Sequence, residues 1–410
     1  MDISALLKEL FNGVVYLGTA EGLKTLVMFV ISGVLIYLAI KKDYEPALLL
    51  PIGFGAILAN LPPVIDAVTG NAAASVLGSE GFLTVLFNSG IKNELFPILI
   101  FIAVGAMIDF SPLMKDPSMI FFGAAAQFGI FATFLVALAL IPVVIPDIAA
   151  MAAGPEKDSI ILRLASAIGI IGAADGPTTL YVANHFQLSA YMAPLSVAAY
   201  SYMSLVPVIQ PPVIRALTTK KERCIHMTYT EQRAPRLALI LFPIVVTILA
   251  GVIVPMSAPL VGSLMFGNLL RECGVLERLS KTAQNELANL VTMLLGLTIG
   301  STMIAQNFLR WDTLLILALG LFAFVFDTAG GVLFAKFLNL FRKNKINPMI
   351  GAAGISAFPM SARVIQKMAK AEDPYNFILM QSISANVSGQ LGSIVAGGLV
   401  ITLIGMMIGW

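Results

Sequence analysis

Charge is what this sequence has least of. Only 12% of its 410 residues are Asp, Glu, Lys or Arg, about half the share carried by ordinary soluble domains. The 25 basic and 23 acidic side chains are too few to cover a water-soluble fold of this size. Their balance, a net charge of +2, leaves no basic surface for nucleic acid, which is not expected as a partner. Two cysteines, Cys224 and Cys273, provide neither a disulfide framework nor a paired metal motif. Two histidines, His185 and His226, argue against a histidine-rich transition-metal centre. No G-x-S-x-G elbow, P-loop or zinc motif occurs, so a nucleotide-driven pump is not expected. Residues 1–19 are too polar for a cleavable signal, and the first apolar run, 23–40, already has the length of a span.

What the chain does have is apolar length. Hydrophobic residues make up 58% of it, and the mean hydropathy is +0.90. Apolar segments lie near 23–40, 46–61, 95–108, 119–141, 160–183 and 188–211, and again near 237–254, 257–270, 286–303, 313–335, 348–366 and 376–409. Short segments of alternating polarity, the mark of a membrane barrel, are absent. The expected fold is an all-α polytopic membrane protein surrounded by lipid.

A polar break at 215–236 carries Arg215, Lys220, Lys221, Arg223, Arg233 and Arg236. It divides the chain into an N-terminal membrane repeat (1–214), a basic linker (215–236) and a C-terminal repeat (237–410). A linker this basic belongs on the cytoplasmic side. Lys41, Lys42, Lys115, Arg342, Lys343 and Lys345 place their own loops there too.

The halves resemble each other. The run from Pro51-Ile52-Gly53-Phe54-Gly55 to Asn60-Leu61 answers to Val261-Gly262 through Gly267-Asn268-Leu269. Glu94-Leu95, leading to Gly105-Ala106-Met107, answers to Glu286-Leu287, leading to Gly300-Ser301-Thr302-Met303. Ile171-Gly172-Ala173-Ala174-Asp175 answers to Ile350-Gly351-Ala352-Ala353-Gly354, with Pro177 and Pro359 following. Internal symmetry of this kind marks transporter folds. Five crossings and one entering-and-returning segment per half would place every basic loop inside and both termini outside. The halves would then be inverted repeats, with 160–183 and 348–366 dipping in from opposite faces.

Asp175 stands in Gly172-Ala173-Ala174-Asp175-Gly176-Pro177-Thr178, where Gly-Pro breaks the helix and frees backbone groups inside an apolar segment. A carboxylate there must be paired, protonated or bound to a cation. The structural alternative is that Asp175 caps the half-helix starting at Pro177. The matching element, from Asn347-Pro348 to Ser356, offers neutral oxygens and carbonyls suited to an alkali cation. Arg363 beyond it suits a carboxylate, or else is an ordinary inside-facing charge. Tyr200 and Tyr202, with Ser201 and Ser204, sit within an apolar helix, as do Ser382, Ser384, Asn386 and Ser388. The serines equally suit helix–helix bonding, whereas Asn386 and the phenols add oxygens where the broken segments should converge. Glu94 and Glu286 are expected to open helices. Asp327 is an intramembrane carboxylate without an evident partner.

These residues resemble a known family. Gly172-Ala173-Ala174-Asp175-Gly176-Pro177-Thr178, Ala198-Ala199-Tyr200-Ser201-Tyr202-Met203 with Pro207-Val208-Ile209-Gln210-Pro211-Pro212, and Asn344-Lys345-Ile346-Asn347-Pro348-Met349-Ile350-Gly351 look like the β-subunit of the sodium-pumping, biotin-dependent decarboxylases. The likeness runs from Glu45-Pro46 to Asn386-Val387-Ser388-Gly389. It implies a translocase in a prokaryotic cytoplasmic membrane that decarboxylates carboxybiotin and exports Na+, consuming a proton. The biotin would be supplied by a partner subunit and not attached to this chain. Implied partners are biotin-carrier and carboxyltransferase subunits and a small membrane-anchored accessory subunit; a homotrimer is implied as well. By resemblance, sodium would be held by Asp175, Asn347, Gly351, Ser356, Asn386 and Tyr202. The chemistry would fall to Asp175, Tyr202 or Tyr200, and Arg363, the last holding carboxybiotin. The short stretch 60–94 and the 386–390 motif lean towards an acyl-CoA rather than oxaloacetate upstream. The rival readings are a secondary carrier coupling sodium to a carboxylate or cation, and a structural anchor for a soluble enzyme.

Overall fold

The computed structural model describes residues 11–42, 46–62, 81–227 and 234–409. Glu45 of the family-like motif, Arg233 of the linker and most of the 60–94 stretch lie outside the described residues. All regular structure among those described is helical. The apolar composition dictates this, because in lipid only a helix satisfies its backbone groups within one segment.

Five helices are long and apolar enough to cross a membrane unaided: α1 (Ala20–Lys42), the run Pro117–Val144, Arg236–Ile253, Trp311–Phe341 and Leu379–Ile408. In chain order the main helices after α1 are α2 (Pro46–Ala59) and α3 (Leu95–Met107), then α4 (Ile120–Ala126) and α5 (Phe128–Val144), into which the 117–144 run divides at Gln127. They are followed by α6 (Pro155–Ile170), α7 (Gly176–His185), α8 (Met192–Ser204), α9 (Val206–Leu217), α10 (Arg236–Ile253), α11 (Ala258–Glu272), α12 (Ala288–Ser301), α13 (Trp311–Phe341), α14 (Met360–Glu372) and α15 (Leu379–Ile408).

Several expected boundaries move. The 188–211 segment is two helices bent by 67° between Ser204 and Val206, where Pro207 cannot donate a backbone bond to the preceding turn. Glu286 does not open a helix. Helical structure begins at Glu277 and passes through a π-turn (Ala283–Leu287) into α12, because no Gly or Pro interrupts 277–287. Glu94 precedes α3 in the left-handed region (φ 65°) and makes no capping bond. Its carboxylate instead accepts from Asn184 Nδ2 at 2.9 Å.

Polar contacts sort the helix ends onto two faces. On the linker face, Arg236 donates to the Cys273 carbonyl (3.1 Å), Arg271 to Met107 (2.6 Å), Lys336 to Leu217 (3.0 Å) and Arg342 to Ser118 Oγ (3.2 Å). On the other face, Arg310 pairs with Asp147 at 2.6 Å, and the Glu94–Asn184 bond joins α3 to the end of α7. Helices cross between these faces in a swapped pattern, α2 packing on α12 and α3 on α11. Asn60 donates to the Met303 carbonyl (2.7 Å) and accepts from Ala305 N (2.8 Å), while Asn268 donates to Ile108 (2.9 Å). Each asparagine of the matched sequence pair thus ties its own half to the other.

Two segments fold back on themselves as hairpins. α6 and α7 form one, joined by a short 3-10 turn (Ile171–Ala173), and Arg163 of α6 reaches the Phe186 carbonyl just past α7 at 3.2 Å. The second runs through the 3-10 segment Pro348–Gly354 into α14 and begins and ends beside the linker. There Asn347 Nδ2 donates to the Arg223 and Ile225 carbonyls, and Glu372 pairs with Arg223 at 2.8 Å.

Candidate functional site

The tips of the two hairpins meet, and Asp175 is the charge at the meeting point. Ser356 N donates to the Ala173 carbonyl at 2.8 Å, joining one broken segment to the other. Ala174 turns the chain through the left-handed region (φ 53°), which a non-glycine residue occupies only when its surroundings hold it there. That turn swings Asp175 off the axis of α6 and onto the first turn of α7. Its Oδ1 accepts from Thr178 N at 3.0 Å, a normal helix cap.

The other oxygen is what makes a site. Asp175 Oδ2 accepts from Ser356 Oγ at 3.1 Å and from Ser393 Oγ at 2.6 Å. One hydroxyl comes from the second hairpin and the other from α15. Asp175 is 2% exposed. Beside it lies a cavity of about 170 Å³ whose lining includes Asp175, Tyr200, Met203, Ser356 and Gln390. The Tyr200 ring lies so close to Gly176 that a Cβ there would come within 2.4 Å of it, and its hydroxyl is buried without a protein partner. Asn386 donates to the Ile355 carbonyl at 2.7 Å, leaving its buried Oδ1 likewise unpartnered. The donor set is therefore one carboxylate and several neutral oxygens, the chemistry a hard cation selects.

Residues 24–404 match the family model described as the Na+-transporting oxaloacetate decarboxylase beta subunit. The chain belongs to this family. It is 45% identical over 396 residues to the methylmalonyl-CoA decarboxylase subunit beta of Propionigenium modestum, covering 93% of this chain and 95% of that one. Identity is 44% over 379 residues to the protein of the same name from Veillonella parvula, covering 92% of each. It is 42% over 450 residues to the oxaloacetate decarboxylase beta chain of Klebsiella pneumoniae, covering 98% of each.

The site residues implied by the resemblance to these beta subunits divide into two groups. Asp175, Ser356, Asn386 and Tyr200 gather at the hairpin tips. The others stand apart. Asn347 caps Met349 N at 3.1 Å and stitches the second hairpin to the linker. Tyr202 faces α13, where its hydroxyl donates to the Leu317 carbonyl. Gly351 packs against the backbone of Gly331, where a Cβ would come within 2.0 Å of the Gly331 carbonyl oxygen. Arg363 is exposed on the first turn of α14.

Ser393 was not among the expected residues, although it makes the shortest bond to Asp175. The signal was present: positions 386, 390 and 393 repeat at helical spacing, so the face of α15 that carries Asn386 also carries Gln390 and Ser393.

Proposed function

We propose that this beta subunit decarboxylates carboxybiotin brought by partner subunits and couples the reaction to sodium export, consuming one proton. The observation that carries the reading is the Asp175 carboxylate, buried and held by hydroxyls from two other elements. Sodium and a proton compete for one such carboxylate, which is the exchange a pump of this kind requires. Ser356, Ser393, Asn386 and Tyr200 would complete the shell around the ion.

In the chemical step the N–C bond of carboxybiotin breaks, carbon dioxide leaves and a proton goes to the ureido nitrogen. Of the two tyrosines, Tyr200 is the one beside Asp175 and its cavity, which supports it as the group passing that proton on. Arg363, exposed on the hairpin that opens toward the basic linker, is assigned to the carboxylate of carboxybiotin. With the linker face cytoplasmic, biotin would be met on that side and sodium released on the Glu94 side.

Length supports an acyl-CoA system upstream. The alignment to the Klebsiella oxaloacetate chain spans 450 positions against the 410 residues here, so that relative carries segments this chain lacks. The Veillonella alignment needs 379 positions for 92% of each chain. The proposed assembly rests on the family resemblance: biotin-carrier and carboxyltransferase subunits, a small membrane-anchored subunit and three copies of this chain in a prokaryotic cytoplasmic membrane.

The test is carbon dioxide release from free carboxybiotin by the purified, reconstituted chain, with sodium varied from none to saturating. Release that rises with sodium, and loses that dependence in a folded Asp175→Asn variant, is expected. No release, together with sodium-driven uptake of a carboxylate, would make the protein a secondary carrier.

A further inference from the structure

Asp327 is the second carboxylate inside the bundle, and the scheme above gives it nothing to do. It lies in the middle of α13 and is fully buried. Its Oδ1 accepts from Ile130 N at 3.1 Å, and the Gly129 amide also faces the carboxyl group. These amides lie in the first turn of α5, where the N–H groups lack the usual carbonyl four residues back, and Ile130 N divides its hydrogen between Asp327 and the Gln127 carbonyl at 3.1 Å. A side chain of α13 therefore caps a helix of the other half. The fit depends on Gly129, because a Cβ there would come within 2.4 Å of Asp327 Oδ1.

The other oxygen meets the first hairpin. Asp327 Oδ2 is buried with no hydrogen-bond partner, and it lies against Gly172 in the turn that breaks the first hairpin. A Cβ on Gly172 would come within 2.6 Å of Oδ2 and 2.9 Å of the Ala323 backbone carbon. Gly172 is three residues before Asp175, and the next residue, Ala173, accepts the Ser356 amide that joins the tips. One carboxyl group is thus wedged between the start of α5 and the back of the turn that presents Asp175.

We propose that Asp327 is a positioning residue for the Asp175 site: from α13 it fixes the start of α5 with one oxygen and the back of the 171–175 turn with the other. The proposal rests on the reading of Asp175 as the sodium carboxylate. Asp327 touches no atom of the site itself. It acts through Gly172, setting where the Asp175 carboxylate stands relative to Ser356 and Ser393. Outer-shell partners of this sort govern ion affinity, because the ligands must be held in place before the ion arrives.

The experiment reads sodium affinity directly, as the sodium concentration giving half of the maximal thermal shift of the purified full-length chain. In parallel it reads half-saturating sodium and turnover for decarboxylation in the assembled complex. Asp327→Ala is expected to raise half-saturating sodium about 10-fold, with a smaller effect on turnover at saturating sodium. Asp327→Asn keeps the shape and the acceptor for Ile130 and should restore near-normal sodium affinity. Gly172→Ala presses on the same contact from the hairpin side and should raise half-saturating sodium as well, which keeps the idea testable should Asp327→Ala fail to fold. Unchanged affinity in Asp327→Ala or Gly172→Ala would overturn the proposal. So would an Asp327→Asn variant that loses all sodium response, since Asp327 would then be an ion ligand. Asp175→Asn run alongside separates the two ideas: a full sodium response in that variant defeats the site itself, not only its support.

Discussion

A carboxylate at Asp175 is costly in an apolar bundle, and the surrounding bonds show what offsets the cost. Hydrogen bonds to an ionised group contribute about 1.5–3 kcal/mol each, and Asp175 receives the Thr178 amide and the hydroxyls of Ser356 and Ser393. Those donors also make it replaceable as a ligand set. A hydroxyl that donates to a carboxylate can also rotate and offer its lone pairs to a cation. The two tyrosines separate on the same logic. Tyr200 has a buried hydroxyl with nothing to bond, beside the Asp175 cavity, whereas the Tyr202 hydroxyl is already engaged by the Leu317 carbonyl. Tyr200→Phe is therefore expected to lower turnover by about 100-fold or more, the usual worth of a proton-transferring group, with little change in thermal stability. Tyr202→Phe should lose about 1 kcal/mol of stability and keep most of its turnover. Matching losses of turnover in the two variants, measured as carbon dioxide release at saturating sodium, would remove Tyr200 from its special place.

Among the helices, close approach is set by glycine. Gly105 and Gly267 lie where α3 meets α11: a Cβ on Gly105 would come within 1.9 Å of the Leu264 carbonyl oxygen, and one on Gly267 within 1.9 Å of that of Ile102. Gly55 and Gly300 play the same part between α2 and α12, with 2.3 and 2.2 Å to opposing carbonyls. Small residues at such crossings let backbones touch where lipid supplies no hydrophobic drive for association. Gly267→Val should cost about 1–3 kcal/mol or more by overpacking, seen as a lower melting temperature in detergent. Gly33, on the exposed face of α1 with open space around it, is the control: Gly33→Ala should be neutral or slightly stabilising. Equal losses at both positions would mean that the crossing is not held by backbone contact. These elements also show what could be read in advance. The breaks at 171–175 and 347–359 were legible because Gly and Pro act through the local backbone. Asp175, Ser356 and Asn386 were legible because polarity inside an apolar run needs a reason. The bend at Leu205, the continuous helix through Glu286 and the turn of Tyr202 toward α13 were not, because each is decided by which neighbour the element packs against.

For the molecule as a whole, the swapped packing of α2 on α12 and α3 on α11 is the pattern that two halves related by a two-fold axis in the membrane plane would produce. Asn60 and Asn268 make matching ties across it. We propose that the halves are inverted repeats on this ground, with the linker face cytoplasmic. A hairpin from each face then meets the other in the middle, so that an ion held between the tips has one broken segment leading to either side. The natural cysteines make the arrangement testable. Cys224 lies in the linker, and the carbonyl of Cys273 is held by Arg236 at the start of α10, so both thiols belong to the linker face. Ser189 is exposed just after α7, on the other face. In intact cells, a membrane-impermeant maleimide should modify Ser189→Cys and spare Cys224 and Cys273; after inversion of the membrane the pattern should reverse. Native thiols that react from outside while Ser189→Cys is spared would turn the whole protein over and with it the direction of pumping. Labelling of both faces from the same side would be the more damaging result, because the two hairpins could not then enter from opposite faces and the site between their tips would lose its two-sided access.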